Sequence, residues 1–184
     1  PTGKRVTTKD YSEATRYYMN KSSLPKVVGG FNTNVSFKNF DMSILMNFSF
    51  GSYLHDSVYA SLMNGFESPG RNGHPNLKNR WQNPGDKTDV PLFLNEQNDF
   101  NATSSRFLFK NNYLRVRGLN LGYTFEENWM ENYQIQGLRV YLQGDNIFTF
   151  QSHKGIDPEQ ALSGLTNNRS HQMRTISLGV NLQL

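Results

Sequence analysis

The last eleven residues of the chain, RTISLGVNLQL, alternate without a break. Ile176, Leu178, Val180, Leu182 and Leu184 are apolar, while Thr175, Ser177, Gly179, Asn181 and Gln183 between them are small or polar. A period of two is that of a β-strand whose faces meet different surroundings. Five aliphatic side chains on one face must dock against something apolar on that side and something wet on the other. A helix cannot satisfy this pattern, because its period would scatter both sets around the axis.

Four further segments alternate in the same way, which makes the fold class all-β. The first covers about 28–37, with Phe31, Thr33, Val35 and Phe37 in phase, and Lys38-Asn39 makes a tight connection after it. The second covers about 40–53. Phe40, Met42, Ile44, Met46, Phe48 and Phe50 share a face opposite Asp41, Ser43, Asn47, Ser49 and Gly51, and Leu45 interrupts the polar side. The third covers 113–125, where Leu114 and Val116 are out of step with Leu119, Leu121, Tyr123 and Phe125. One extra residue at Arg117-Gly118 would restore a single face, so the slip predicts a β-bulge. The fourth covers 138–150, with Leu138, Val140, Leu142, Phe148 and Phe150 opposite Arg139, Tyr141, Gln143 and Asp145, and Asn146 misplaced on the apolar side. The fifth is 173–184. A short helix is expected over residues 10–19.

The connections run short, long, short, long: two residues, then about 54–112, 126–137 and 151–172. Outer-membrane barrels have short periplasmic turns and long outer loops. A β-sandwich joins its strands more evenly. With the C-terminus in the periplasm, both long connections fall outside. The longest holds Asn64-Gly65, Pro69-Gly70, Asn72-Gly73 and Asn83-Pro84-Gly85-Asp86, which is turn chemistry within a loop. Phe148 and Phe150 then end one strand at the outer side. Tyr123 and Phe125, with Trp129 beyond, end another at the inner side. Such aromatic girdles mark both interfaces of a barrel. Packing in a sandwich core is the alternative reading of the same rings.

Composition excludes several classes. The net charge of +4, from 19 Lys+Arg against 15 Asp+Glu, is scattered, so no basic run follows a nucleic-acid backbone. Without cysteine there is no disulfide and no thiolate metal site. No run of about 20 apolar residues exists for a membrane helix. The mean hydropathy of −0.66 favours a soluble protein only until barrels are considered, because their lumen and loops are polar. No secretory signal opens the chain at Pro1-Thr2-Gly3, and the start reads as an interior cut.

The chain resembles the C-terminal part of SusC/RagA-type TonB-dependent outer-membrane transporters. Five segments in the family's order carry the likeness: 23–51, LKNRWQNPGDKTDVP (77–91), YLRVRGLNLGYTF (113–125), LRVYLQGDNIFTF with KGIDPE (138–159), and the closing RTISLGVNLQL. The resemblance implies an antiparallel transmembrane barrel of about 22 strands in the full protein. Residues 1–184 would be its C-terminal part, with five strands, two long extracellular loops and no plug domain. Partners implied are a SusD-like lipoprotein, TonB through a region N-terminal to this chain, outer-membrane lipid including lipopolysaccharide, and the remainder of the barrel. The function implied is uptake of glycans or oligopeptides across the outer membrane of a Gram-negative bacterium, with no enzymatic step. Ser177, Gly179, Leu182 and Leu184 match the family's barrel-assembly signal, although Leu184 stands where an aromatic residue is usual.

Candidate sites follow. In a barrel Arg115, Arg117, Arg139, Tyr141, Gln143 and Asp145 face the lumen, either binding a solute in transit or holding the interior together. Arg174, in the apolar phase, is expected to meet lipid phosphate at the rim. Tyr59, Phe66, Trp81 and Phe93 either contact substrate and partner or pack within their loop. His55, His74, His153 and His171 lack zinc spacing and read as solvated loop residues. No cofactor is expected. Calcium could use Asp86 with Asp89, or Asp157 with Glu159, but neither pair forms an EF-hand. A soluble all-β carbohydrate-binding module and a simple porin or adhesin barrel are the competing functions.

Overall fold

The computed structural model describes residues 8, 10–64, 70, 72–93, 102–126, 135–159, 163–166 and 170–184. Five long strands form one antiparallel sheet: β1 (Val27–Phe37), β2 (Phe40–Phe50), β5 (Tyr113–Thr124), β6 (Gly137–Gln151) and β7 (Thr175–Gln183). They lie side by side in chain order. A second sheet of two short strands, β3 (Tyr53–His55) and β4 (Leu108–Lys110), stands at the end of the long loops. With it are a six-residue helix, α1 (Ser57–Leu62), and 3-10 turns at Pro75–Asn79 and Ser105–Phe107. The helix expected over 10–19 is absent. Asp10 instead accepts the Ser12 amide and hydroxyl at 2.8 and 2.7 Å, a local turn that competes with helix formation.

Register puts every apolar row on one face. Met42 pairs with Val35 and Leu121, Leu121 with Leu142, and Leu142 with Leu178. The two-residue turn after β1 places Lys38 at φ 53°. The bulge lies where the sequence slips, and it grows across the sheet. From Ile44 to Met46 β2 advances two residues, β5 opposite advances three (119 to 116), and β6 advances four (144 to 148). Asn146 is part of that excess. It takes the left-handed conformation, φ 53°, that asparagine tolerates best after glycine. Its Nδ2 donates to the Met173 carbonyl at 3.2 Å. Ile147 then packs over Gly144, so an aliphatic group fills the apolar face where Asn146 breaks the pattern.

Among the described residues no layer covers this apolar face. Phe31, Phe37, Phe148, Phe150, Ile176 and Leu178 are all more than half exposed. The accessible surface is 14026 Å², against roughly 9,000 Å² for a compact monomer of this mass. A sandwich would bury that face against a second sheet. The buried apolar cluster lies elsewhere, among the loops, where Met63, Val90 and Phe107 gather Tyr59, Leu77, Phe93 and Phe109.

Candidate functional site

The polar face holds the chemistry. Arg115 projects from β5 and is 2% exposed. The connection from β6 to β7 folds back over it. Its Nη2 donates to both carboxylate oxygens of Asp157 at 3.0 Å, Nη1 to Glu159 at 3.0 Å, and Nε to the Thr149 hydroxyl of β6 at 3.1 Å. Arg117, half exposed, donates to Glu159 at 2.6 Å and to Gln172 at 2.8 Å. Asn47 of β2 donates to the other Glu159 oxygen at 2.9 Å. A planar guanidinium suits this use, since its fork satisfies two carboxylates at once. Burial pushes the Asp157 carboxyl up. The amides of Glu159 and Gln172 and the Arg115 guanidinium outweigh that and hold it below the usual carboxylate range. All three guanidinium nitrogens of Arg115 are engaged, so a passing solute finds none of them open.

Further down the same face, Arg139 of β6 reaches across β5 to Asp41 of β2, with Nε–Oδ1 3.0 Å and Nη2–Oδ2 2.5 Å. Gly122 of β5 lies beneath, and any β-carbon there would run into both partners. Arg139 also lies 5.1 Å from the Tyr141 ring centroid. Tyr141 covers Gly179 of β7, its cross-strand partner. Gln143 and Asp145 are linked at 3.3 Å. The six polar-face candidates therefore share one face. They divide into a loop clasp (Arg115, Arg117) and an open strip (Arg139, Tyr141, Gln143, Asp145).

Two of the loop aromatics, Tyr59 and Phe93, pack within the loop cluster. Tyr59 sits edge-on to Phe107, Phe109 and His74, with centroids 5.9, 6.0 and 4.8 Å away. Phe93 packs on the same cluster. Trp81 is half buried, its amide donating to Val90. Phe66 and Trp129 lie outside the described residues. Three histidines depart from the solvated reading. His153 stacks on Phe109 at 3.9 Å and bonds Asp56 at 2.8 Å. His55 meets Phe107 edge-on, and His74 accepts the Asn76 amide at the start of a 3-10 turn. Asp56 is 2% exposed and also accepts the Tyr59 amide at the head of α1. Burial raises its carboxyl, but His153, Tyr59 and Thr166 together leave it below its ordinary value.

At the rim, the Arg174 guanidinium lies 5.9 Å over the Phe148 ring, on the apolar side of the sheet. Tyr123 packs on Phe40 at 4.7 Å and on Phe125 at 4.9 Å at the turn end. Phe150 stands in the apolar row beside Phe148. Ser177 and Gly179 lie on the polar face of β7, and Leu182 and Leu184 are exposed on the other side. Three of the four calcium candidates have protein partners. Asp157 and Glu159 bind arginines, and Asp86 accepts the Gln82 and Asn83 amides. No cluster of three metal-ligating side chains occurs among the described residues.

The clasp carboxylates and the Asp56–His153 pair escaped sequence reasoning as structural partners. Two arginines on one strand and an Asp-Pro-Glu in a distant loop were the only sign of the clasp. Nothing marked the pair.

No family model matches the chain. It is 27% identical over 170 residues to TonB-dependent receptor P3 of Formosa agariphila, covering 86% of this chain and 16% of that protein. It is 30% identical over 167 residues to TonB-dependent receptor SusC of Bacteroides thetaiotaomicron, covering 90% of this chain and again 16% of the relative. The chain thus spans well under a fifth of these curated relatives. The RagAB peptide importer in its closed-closed state superposes with a TM-score of 0.80 at 26% identity, over 96% of this chain and 19% of that one. The open-open state gives 0.79 at 26% identity, over 100% and 20%. In sequence and in the sheet it builds, the chain matches a fragment of the SusC/RagA family of TonB-dependent transporters, part of their barrel.

Proposed function

We propose that the chain is the C-terminal part of the barrel domain of an outer-membrane importer, with its C-terminus in the periplasm and its two long loops outside. The observation that carries this reading is the uncovered sheet. All five strands expose their apolar rows on one side, while the other side is polar and carries a buried ion network. That pairing suits lipid outside and an aqueous lumen inside. The near-equal likeness to closed and open RagAB fits a static wall, with motion left to plug and cap.

In this reading the full protein takes up oligopeptides or glycans with a SusD-like surface lipoprotein, and energy arrives through TonB. The chain contributes wall and outer loops, uses no cofactor of its own and performs no covalent step. The open strip of Arg139, Tyr141, Gln143 and Asp145 is its lumen surface, and the clasp is its reinforcement. The test is uptake by cells carrying the full-length transporter or a deletion of its gene. Labelled oligopeptides and malto-oligosaccharides are compared in the two strains. Loss of one class on deletion is expected and names the substrate; unchanged uptake of both overturns the importer reading.

A further inference from the structure

The sheet splits at its loop end. The register of β6 with β7 ends at Asp145 with Thr175, yet β6 runs on to Gln151. Tyr113 to Val116 of β5 still pair with one edge of that extension. Along its other edge no strand lies among the described residues. The backbone groups of an antiparallel strand turn alternately to one neighbour and to the other. The Ser152 amide donates to the Asn112 carbonyl at 2.9 Å, so even-numbered residues here turn their backbone groups to β5. Thr149 and Gln151 turn their N–H and C=O groups to the open side, where none of them meets a partner among the described residues. Their side chains are already committed. The Thr149 hydroxyl accepts from Arg115 Nε at 3.1 Å, and Gln151 Nε2 donates to the Ile156 carbonyl at 3.1 Å. What this edge offers is main chain.

A cavity of about 610 Å³ runs along it. Phe150 from the apolar face lines it together with Thr149 and Gln151 from the polar face, so the cavity follows the edge of the strand rather than either surface. The opposite wall is the chain about to enter β7, with His171, Gln172 and Arg174. The two walls meet at the lower end. There Asn146 Nδ2 donates to the Met173 carbonyl at 3.2 Å, and the Arg174 guanidinium crosses to the Phe148 ring. Lys154 completes a lining that holds Lys, His and Arg but no Asp or Glu. Neither Lys154 nor Arg174 forms an ion pair among the described residues. Asp157 and Glu159, the carboxylates of the same connection, are spent on Arg115 and Arg117.

An unpaired strand edge is a template for another extended chain. Alternating main-chain donors and acceptors select a polypeptide over a lipid or a sugar, because a second backbone repeats the same groups at the same spacing. The cations beside the edge select acidic side chains. The closed lower end selects length. Residues 147–151 span roughly 16 Å at about 3.3 Å per residue, and a longer segment could not run on through the junction of the walls. We infer that the fork between β6 and residues 171–174 binds a free acidic oligopeptide of about five residues, added to β6 as a short strand. Its arrival from the outer medium rests on the importer reading above, whereas the pairing itself rests on the sheet alone. The rival occupant is another part of the full-length barrel.

The full-length transporter is purified in non-ionic detergent, and heat-modifiable gel mobility verifies that each variant has assembled. Three probes are titrated by calorimetry. They are the pentapeptide Glu-Val-Glu-Val-Glu, its counterpart Lys-Val-Lys-Val-Lys, and the acidic peptide N-methylated at every peptide bond, which keeps the charges and loses the N–H groups. Amide exchange over 147–151 is followed with and without each probe. The acidic peptide should bind wild type about tenfold more tightly than the triple variant Lys154→Gln, His171→Gln, Arg174→Gln, the loss expected for a few exposed ionic contacts. It should also slow exchange over 147–151. The charge-conserving variant Lys154→Arg, Arg174→Lys should bind it as wild type does. The basic and the N-methylated peptides should neither bind comparably nor slow exchange. Equal affinity for acidic and basic peptides overturns the site. So does equal binding of the N-methylated peptide, or acidic-peptide binding that leaves exchange over 147–151 unchanged. Full protection of those amides before any peptide is added also overturns it, since the rest of the barrel would then fill the fork. Unchanged uptake of both solute classes on gene deletion, with peptide binding intact, overturns the importer reading instead and leaves the fork standing.

Discussion

Arg115 and Arg139 carry the same charge on the same face, but their surroundings make them unequal. Arg115 is sealed beneath the loop with two carboxylates. Arg139 and Asp41 keep about a quarter to a third of their side-chain surface in water. Breaking a buried pair strands a charge and costs about 3 kcal/mol or more, whereas an exposed pair is worth about 0.5 kcal/mol. Asp157→Asn should therefore open the 151–172 connection to protease in the assembled full-length protein, while Asp41→Asn should leave its cleavage rate nearly unchanged. The pH dependence has a definite sign. Asp157 and Asp56 both sit below their ordinary carboxylate values when folded. Their contribution is complete above about pH 4, the unfolded carboxylate range, and is lost as pH falls through the lower folded values. Loop protection against an acid-tolerant protease should hold from pH 7 to about 4 and decline below. A decline beginning near pH 6 would implicate another group.

Among the elements, β7 shows how a neighbour can set a residue's role. Gly179 has no side chain, and the Tyr141 ring takes the space from β6. Gly179→Leu should displace that ring and lower the assembled, heat-modifiable fraction of the full-length protein, by roughly 1 kcal/mol of cross-strand packing. Tyr141→Ala in the same background should restore part of it, and an additive pair of losses would show that the two do not interact. The strands themselves were legible because their pattern repeats over ten or more residues, and the bulge was legible because one residue shifted that pattern. Asn146 was not, since its meaning lies in a backbone angle and in Ile147 taking its place. The loop module was not legible either. Asp56 and His153 are 97 residues apart, and no periodicity links them. His153→Ala should loosen α1 and raise amide exchange over 56–63 while leaving β5 and β6 protected.

For the whole molecule, the deciding property is an apolar face that none of the described residues covers. A soluble carbohydrate-binding module would have to hide it. The full-length protein should therefore stay dispersed in detergent or bilayer and aggregate when detergent is removed; monodispersity in plain buffer would contradict the barrel reading. The clasp also has a place in time. Asn47 and Glu159 are 112 residues apart, and Arg115 and Asp157 are 42 apart. Neither contact can form until β2, β5 and β6 already lie in register, because their side chains supply Asn47, Arg115 and Thr149 from three adjacent strands. Closing such distant loops before the sheet exists would cost entropy with nothing gained. The latch thus reports completion. It can lock only over a correctly ordered wall, and a register slip of one residue would turn Arg115 onto the apolar face and leave the loop with nothing to hold.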